Sequence, residues 1–117
     1  MANSVAFDKS SSFALRIVKL YKYLCDKKKE FVLSKQILRS GTSIGANLAE
    51  SKFAISKNDF LAKVYIALKE CSETMYWLKL LKDAGFITQS QFNSLYVECD
   101  EIGKILSATT KTINKRM

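Results

Sequence analysis

The sequence predicts an all-α protein, an antiparallel four-helix bundle of up-down-up-down topology. Two observations carry that prediction. The 117 residues contain no proline and four glycines, so little interrupts a helix. Apolar residues recur along four segments at alternating spacings of three and four, the period of helices packed nearly parallel to their neighbours. A chain of this length is one domain, residues 1–117, and with 48% hydrophobic residues it can bury a core.

Phe13, Ile17, Leu20 and Leu24 predict a first helix from Ser11 to Lys27, with Lys27, Lys28 and Lys29 favourably placed at its negative end. Leu33, Ile37, Gly41, Ile44 and Leu48 form the second stripe. The third helix opens at Ser56, with Asp59 completing a variant capping box, and follows Phe60, Val64, Ala67, Cys71, Thr74, Leu78 and Leu81. Gly85 ends it as a left-handed cap. Thr88 and Gln91 form the box that starts the fourth helix, whose stripe is Phe92, Leu95, Cys99, Ile102, Leu106, Thr109 and Ile113. Short connections make successive helices antiparallel neighbours. Beyond its stripe the third helix carries Leu61, Tyr65, Ile66, Leu68, Met75, Tyr76, Trp77 and Leu80. A helix apolar on nearly every side is buried on nearly every side. Tyr65, Ile66, Tyr76, Trp77 and Leu80 are therefore assigned to contacts between copies of the chain, which predicts a homo-oligomer.

Composition removes several classes of function. Three cysteines, Cys25, Cys71 and Cys99, are odd in number and lack CxxC spacing, which argues against a disulfide framework and a zinc site. With no signal-type apolar run in MANSVAFDKS and no membrane-length apolar segment, the expected setting is the cytoplasm, with no membrane partner. Histidine is absent, which removes most metal-hydrolase, di-iron and Ser-His schemes, and no cofactor or metal is expected. The net charge of +8 favours polyanionic partners, RNA or DNA, or an acidic protein.

The stretch RSGTSIGANLAES, Arg39 to Ser51, has the crowding of an active-site loop. It lacks the GxxxxGK[ST] of a phosphate loop, and no strand precedes it as a dinucleotide fingerprint requires. GTSIG matches GxSxG literally, yet a nucleophile elbow needs strand-turn-helix context and a histidine. A packing role accounts for more residues. Gly41, Gly45 and Ala49 lie four apart on one face and admit a neighbouring backbone. Beside them runs a polar stripe of Gln36, Ser40, Ser43, Asn47 and Glu50. Arg39, Ser43, Asn47 and Glu50, with Glu70 and Glu73 of the third helix, are read as a structural polar seam.

QILRSGTSIGANLAES (36–51) and YIALKECSETMYWL (65–78) resemble the bacterial four-helix-bundle proteins associated with intervening sequences of 23S ribosomal RNA. The resemblance runs along the whole chain in helix order. It departs at Gly45, where the family often has proline, and at Ser51, where it has glycine. It implies assembly into ring-like pentamers. A similar basic pentamer is the accessory protein of diversity-generating retroelements, which works with a reverse transcriptase and nucleic acid.

Three functions follow as expectations. The first is a non-enzymatic module binding nucleic acid, RNA favoured, through Arg16, Lys19 and Lys22 with Lys9 nearby, and through Lys104, Lys111, Lys115 and Arg116. The second is a protein-interaction scaffold, an accessory partner of a nucleic-acid enzyme. The third is a magnesium-dependent nucleotide pyrophosphohydrolase, for which Glu70 and Glu73 would act with Glu98 and Glu101, although the last two are expected to face solvent beside Cys99.

Overall fold

A computed structural model describes residues 2–116, and side chains for residues 5–115. Four helices follow one another: α1 (Ala2–Asp26), α2 (Leu33–Ser51), α3 (Lys57–Asp83) and α4 (Gln89–Arg116). Each packs on its sequence neighbours, and α4 closes the square against α1. The α2–α3 seam is the most extensive and the α1–α4 seam the least. The bundle measures 47 × 22 × 19 Å, close to the length of its longest helices at ~1.5 Å per residue. We call the end holding the α1–α2 and α3–α4 connections the upper end.

The four stripes meet in one core, in which Phe13, Ile17, Leu24, Ile37, Ile44, Leu48, Val64, Leu78 and Leu81 have no exposed surface. The helix stops are local chemistry. Ser56 Oγ accepts the Asp59 amide at 3.0 Å, while the Asp59 carboxylate takes the Ile55 amide, one residue outside the usual box. At α4 the box closes fully, with Gln91 N donating to Thr88 Oγ1 and Thr88 N to Gln91 Oε1. Gly85 sits at φ 84°, and the Phe86 amide reaches back to the Leu81 carbonyl at 2.9 Å. Only glycine adopts that backbone without strain.

Three expectations are corrected. α1 begins at Ala2, nine residues before Ser11, because Ala6 and Ser10 continue the Phe13–Ile17 stripe into the core. A hydroxyl on the apolar face hid that continuation from the periodicity. Ser10 tolerates burial by donating to the Phe7 carbonyl at 2.8 Å. In the last turns of α4 the buried residue is Thr110, not Thr109, since the stripe takes a four-residue step after Leu106. On α3, Leu61 is buried, and Leu68 and Met75 pack against the core. With α2 on one flank and α4 on the other, α3 uses a wide apolar arc within the single chain.

Candidate functional site

The Arg39–Ser51 segment lies wholly within α2 and has two working edges. One faces α1. A Cβ at Gly41 would lie 2.8 Å from Ile17 Cγ2, and one at Gly45 would lie 3.2 Å from Ser10 Oγ, so α1 and α2 approach closely there. The other edge faces α3. The Arg39 guanidinium bridges Glu70, at 3.3 Å, and Glu73, and the Trp77 indole donates to the same Glu73 carboxylate at 2.9 Å. Glu50 holds Lys63 at 2.8 Å. At the centre of the seam the buried hydroxyls of Ser40 and Thr74 stand 2.9 Å apart.

Ser43 and Asn47 do not reach α3. Ser43 Oγ donates to the Arg39 carbonyl at 2.6 Å and Asn47 Nδ2 to the Ser43 carbonyl at 2.8 Å, both within α2. Thr42 and Ser51 likewise bond to carbonyls of their own helix. Short polar side chains find the carbonyl one turn back nearer than any partner across the groove. Every hydroxyl of the segment is thus occupied structurally. Thr74→Val should cost about 1–3 kcal/mol by orphaning Ser40, and adding Ser40→Ala should recover part of that loss. Urea unfolding of both variants checks it, and a double variant weaker than Thr74→Val alone would refute the pairing.

The carboxylates open on different grooves. Glu70 and Glu73 serve α2–α3, whereas Glu98 and Glu101 lie across the bundle on α1–α4, where Arg16 pairs with Glu98 and Lys9 with Glu101. Glu98 and Glu101 are therefore bound by cations of α1 and do not simply face solvent. Among the described residues no group of three His, Cys, Asp or Glu is placed to hold a metal ion. Cys71 and Cys99 are buried thiols. The Cys71 side chain beside it, reinforced by burial, pushes the Cys99 thiol far above its ordinary pKa, so it stays a neutral packing group.

The basic residues divide by partner and by end. Arg16 is held by Glu98 and by Ser94 Oγ, the latter at 2.9 Å, and Lys104 pairs with Asp100 at 3.0 Å on its own helix. Lys19, Lys22, Lys27, Lys28 and Lys29 have no carboxylate within ion-pairing distance among the described residues; Lys19 and Lys22 lie toward the upper end of α1, and Lys27, Lys28 and Lys29 in the α1–α2 connection beyond it. Lys111 and Lys115 stand at the opposite end of the bundle, and the side chain of Arg116 lies outside those described. The two clusters therefore do not form one patch on a single chain. Of the α3 residues assigned to contacts between copies, Tyr65, Ile66 and Tyr76 are exposed. Trp77 is partly buried, with the Tyr76 ring edge-on to it at 5.0 Å.

The 23S rRNA-intervening sequence protein family model matches residues 2–108. The chain belongs to that family. Among solved structures, a protein of unknown function from the S23 ribosomal protein family of Bacteroides thetaiotaomicron superposes with a TM-score of 0.93 at 53% identity, covering 95% of this chain and 99% of that one. No curated protein matches the sequence. No helix of the described residues is long and apolar enough to cross a membrane. Sequence reasoning missed the pairing of Arg16 with Glu98 and the groove beside it. One signal for the groove was present, since Arg16, Lys19 and Tyr23 at spacings of three and four share one flank of α1.

Proposed function

We propose that this protein is a non-enzymatic cytoplasmic module that binds nucleic acid, RNA before DNA, and works as a homo-oligomer. The observation that carries the reading is a set of lysines at the upper end, Lys19 and Lys22 on α1 and Lys27, Lys28 and Lys29 in the connection that follows it, with no carboxylate at ion-pairing distance among the described residues. No carboxylate among the described residues pairs with them, so their charge is available to phosphates. The family's association with 23S rRNA intervening sequences supports RNA. Exposed Tyr65, Ile66 and Tyr76 support self-association through α3, and the family resemblance supplies the pentameric ring. A ring would repeat the lysine cluster, with Lys111 and Lys115 repeated at its other end, and raise avidity without new contacts.

The test is fluorescence anisotropy with structured RNA, matched duplex DNA and single strands across a salt series. Steep salt dependence is expected, and joint Lys19→Glu and Lys22→Glu replacement should weaken binding and lower the log–log slope by about 2 while leaving assembly intact. Normal binding by the double variant would remove those two lysines from the site.

A second reading, an accessory scaffold for a protein partner, is favoured by Phe53 and Ile55. They are 84% and 93% exposed on the α2–α3 connection, at the end away from the upper lysines. A single stoichiometric partner, lost on Phe53→Asp and Ile55→Asp replacement, would support it. The pyrophosphohydrolase alternative requires two glutamate pairs to converge on one cation, and they occupy opposite grooves.

A further inference from the structure

The groove between α1 and α4 has two unlike halves. Its lower half is lined by Asp8, Lys9, Ser12, Glu98, Glu101 and Ile102, where carboxylates outnumber cations. Its upper half is lined by Arg16, Lys19, Leu20, Tyr23, Gln91 and Leu95 and contains no acid. The Arg16–Glu98 pair stands at the boundary. A polyanion is repelled from the lower half and accepted by the upper one.

The upper half also offers more than charge. Leu20 and Leu95, both nearly buried, make an apolar floor, and the partly buried Tyr23 makes an aromatic wall. The Lys28 ammonium lies 5.9 Å from the Tyr23 ring centroid, at the edge of cation–π range. Gln91 Oε1 is taken by the Thr88 amide, which leaves the carboxamide NH2 as a donor. Lys19 is exposed at the rim, with no ion-pair partner among the described residues. A flat ring, an apolar floor, one amide donor and cations at the edge are what an unstacked base with its phosphate requires. A duplex keeps its base faces covered, so it can reach only the rim.

We infer that the upper α1–α4 groove receives one unpaired nucleotide of a single-stranded segment, its base against Tyr23 above Leu20 and Leu95 and its phosphate at Lys19. The inference rests on the nucleic-acid reading above and specifies which form that site prefers.

The experiment compares a fluorescein-labelled single-stranded 12-mer RNA, its DNA counterpart and a matched 12-base-pair duplex, by anisotropy at low salt. Tyr23→Leu keeps apolar bulk at the groove and removes the ring. It is expected to lower single-strand affinity about tenfold relative to duplex affinity, the size of one base–aromatic stack, and Tyr23→Phe should restore it. Unchanged helical circular dichroism and elution volume show that the variants are folded. Single-strand binding by Tyr23→Leu equal to the unaltered protein, with loss on Lys19→Glu and Lys22→Glu, overturns the groove and leaves the nucleic-acid reading standing. No binding of any strand by the unaltered protein overturns both.

Discussion

Gly41→Ala is expected to destabilise the fold by about 1–3 kcal/mol, although alanine gains about 1 kcal/mol over glycine in a helix interior. The new Cβ would lie 2.8 Å from Ile17 Cγ2 and 2.9 Å from Ile17 Cγ1. Ile17 has no exposed surface, and a β-branched side chain on a helix has one strongly preferred rotamer, so it cannot swing aside. The α1–α2 seam would have to open. Gly103→Ala is the control, since its nearest contacts, Cys71 Cβ and Leu68 Cδ1, lie at 3.9 Å and only the propensity gain remains. Ile17→Ala removes both clashing atoms and by itself should cost about 2–5 kcal/mol through the cavity left behind. In that background Gly41→Ala fills part of the cavity, so its effect should change sign. Urea denaturation of the four species at one protein concentration gives the coupling energy. Additive effects within about 0.5 kcal/mol would mean that Gly41 and Ile17 are not in contact.

The helices were legible because a bundle imposes its own period on the chain. Alternating three and four spacing is the condition for a straight seam, and Ser56, Gly85 and Thr88 with Gln91 mark boundaries by hydrogen-bonding chemistry that acts within four residues. Ser10 concealed the first two turns of α1, because a hydroxyl bonded to its own helix behaves as a small core residue. At the end of α4 the cause is different: Thr109 and Thr110 both bond to their own helix, and a four-residue step after Leu106, where the pattern predicts three, puts Thr110 in the core.

The site was less legible because it depends on register between α1 and α4, the chain's first and last helices. Periodicity says which face of each helix is polar but not how far one slides along the other. Arg39 with Glu70 and Glu73 could be anticipated, since α2 and α3 are sequence neighbours joined by a short turn. Arg16 with Glu98 could not, and that pair changes how the basic surface reads, leaving the phosphate-facing charge to the lysines above it.

Replacing Glu30 should destabilise the protein by about 2 kcal/mol, an effect that periodicity offers no means to foresee. α2 begins without a capping side chain at Val32. Lys29 adopts the left-handed conformation at φ 53° and the Glu30 amide closes onto the Leu24 carbonyl at 3.0 Å, which turns the Glu30 carboxylate over the start of α2. Its oxygens accept the amides of Val32, Leu33 and Ser34 at 3.2, 3.0 and 2.7 Å. Amides otherwise left unpaired at a helix start meet a negative charge at the positive end of the helix dipole. Partial burial pushes the carboxyl pKa up, but the amides of Leu33, Ser34 and Val32 outweigh it and hold it below the ordinary carboxylate value. The folded state therefore binds this proton less readily than the unfolded chain. The stabilisation is complete above the ordinary carboxyl pKa, about 4.3, and is lost as pH falls through the lower folded value. Glu30→Gln keeps an acceptor and removes the charge, so near neutral pH it should lose about half of what Glu30→Ala loses. Denaturant unfolding of Glu30→Gln and the unaltered protein from pH 7 downward should show their gap narrowing in acid. A gap that stays constant would mean that the carboxylate charge contributes nothing and that α2 is started by its packing alone.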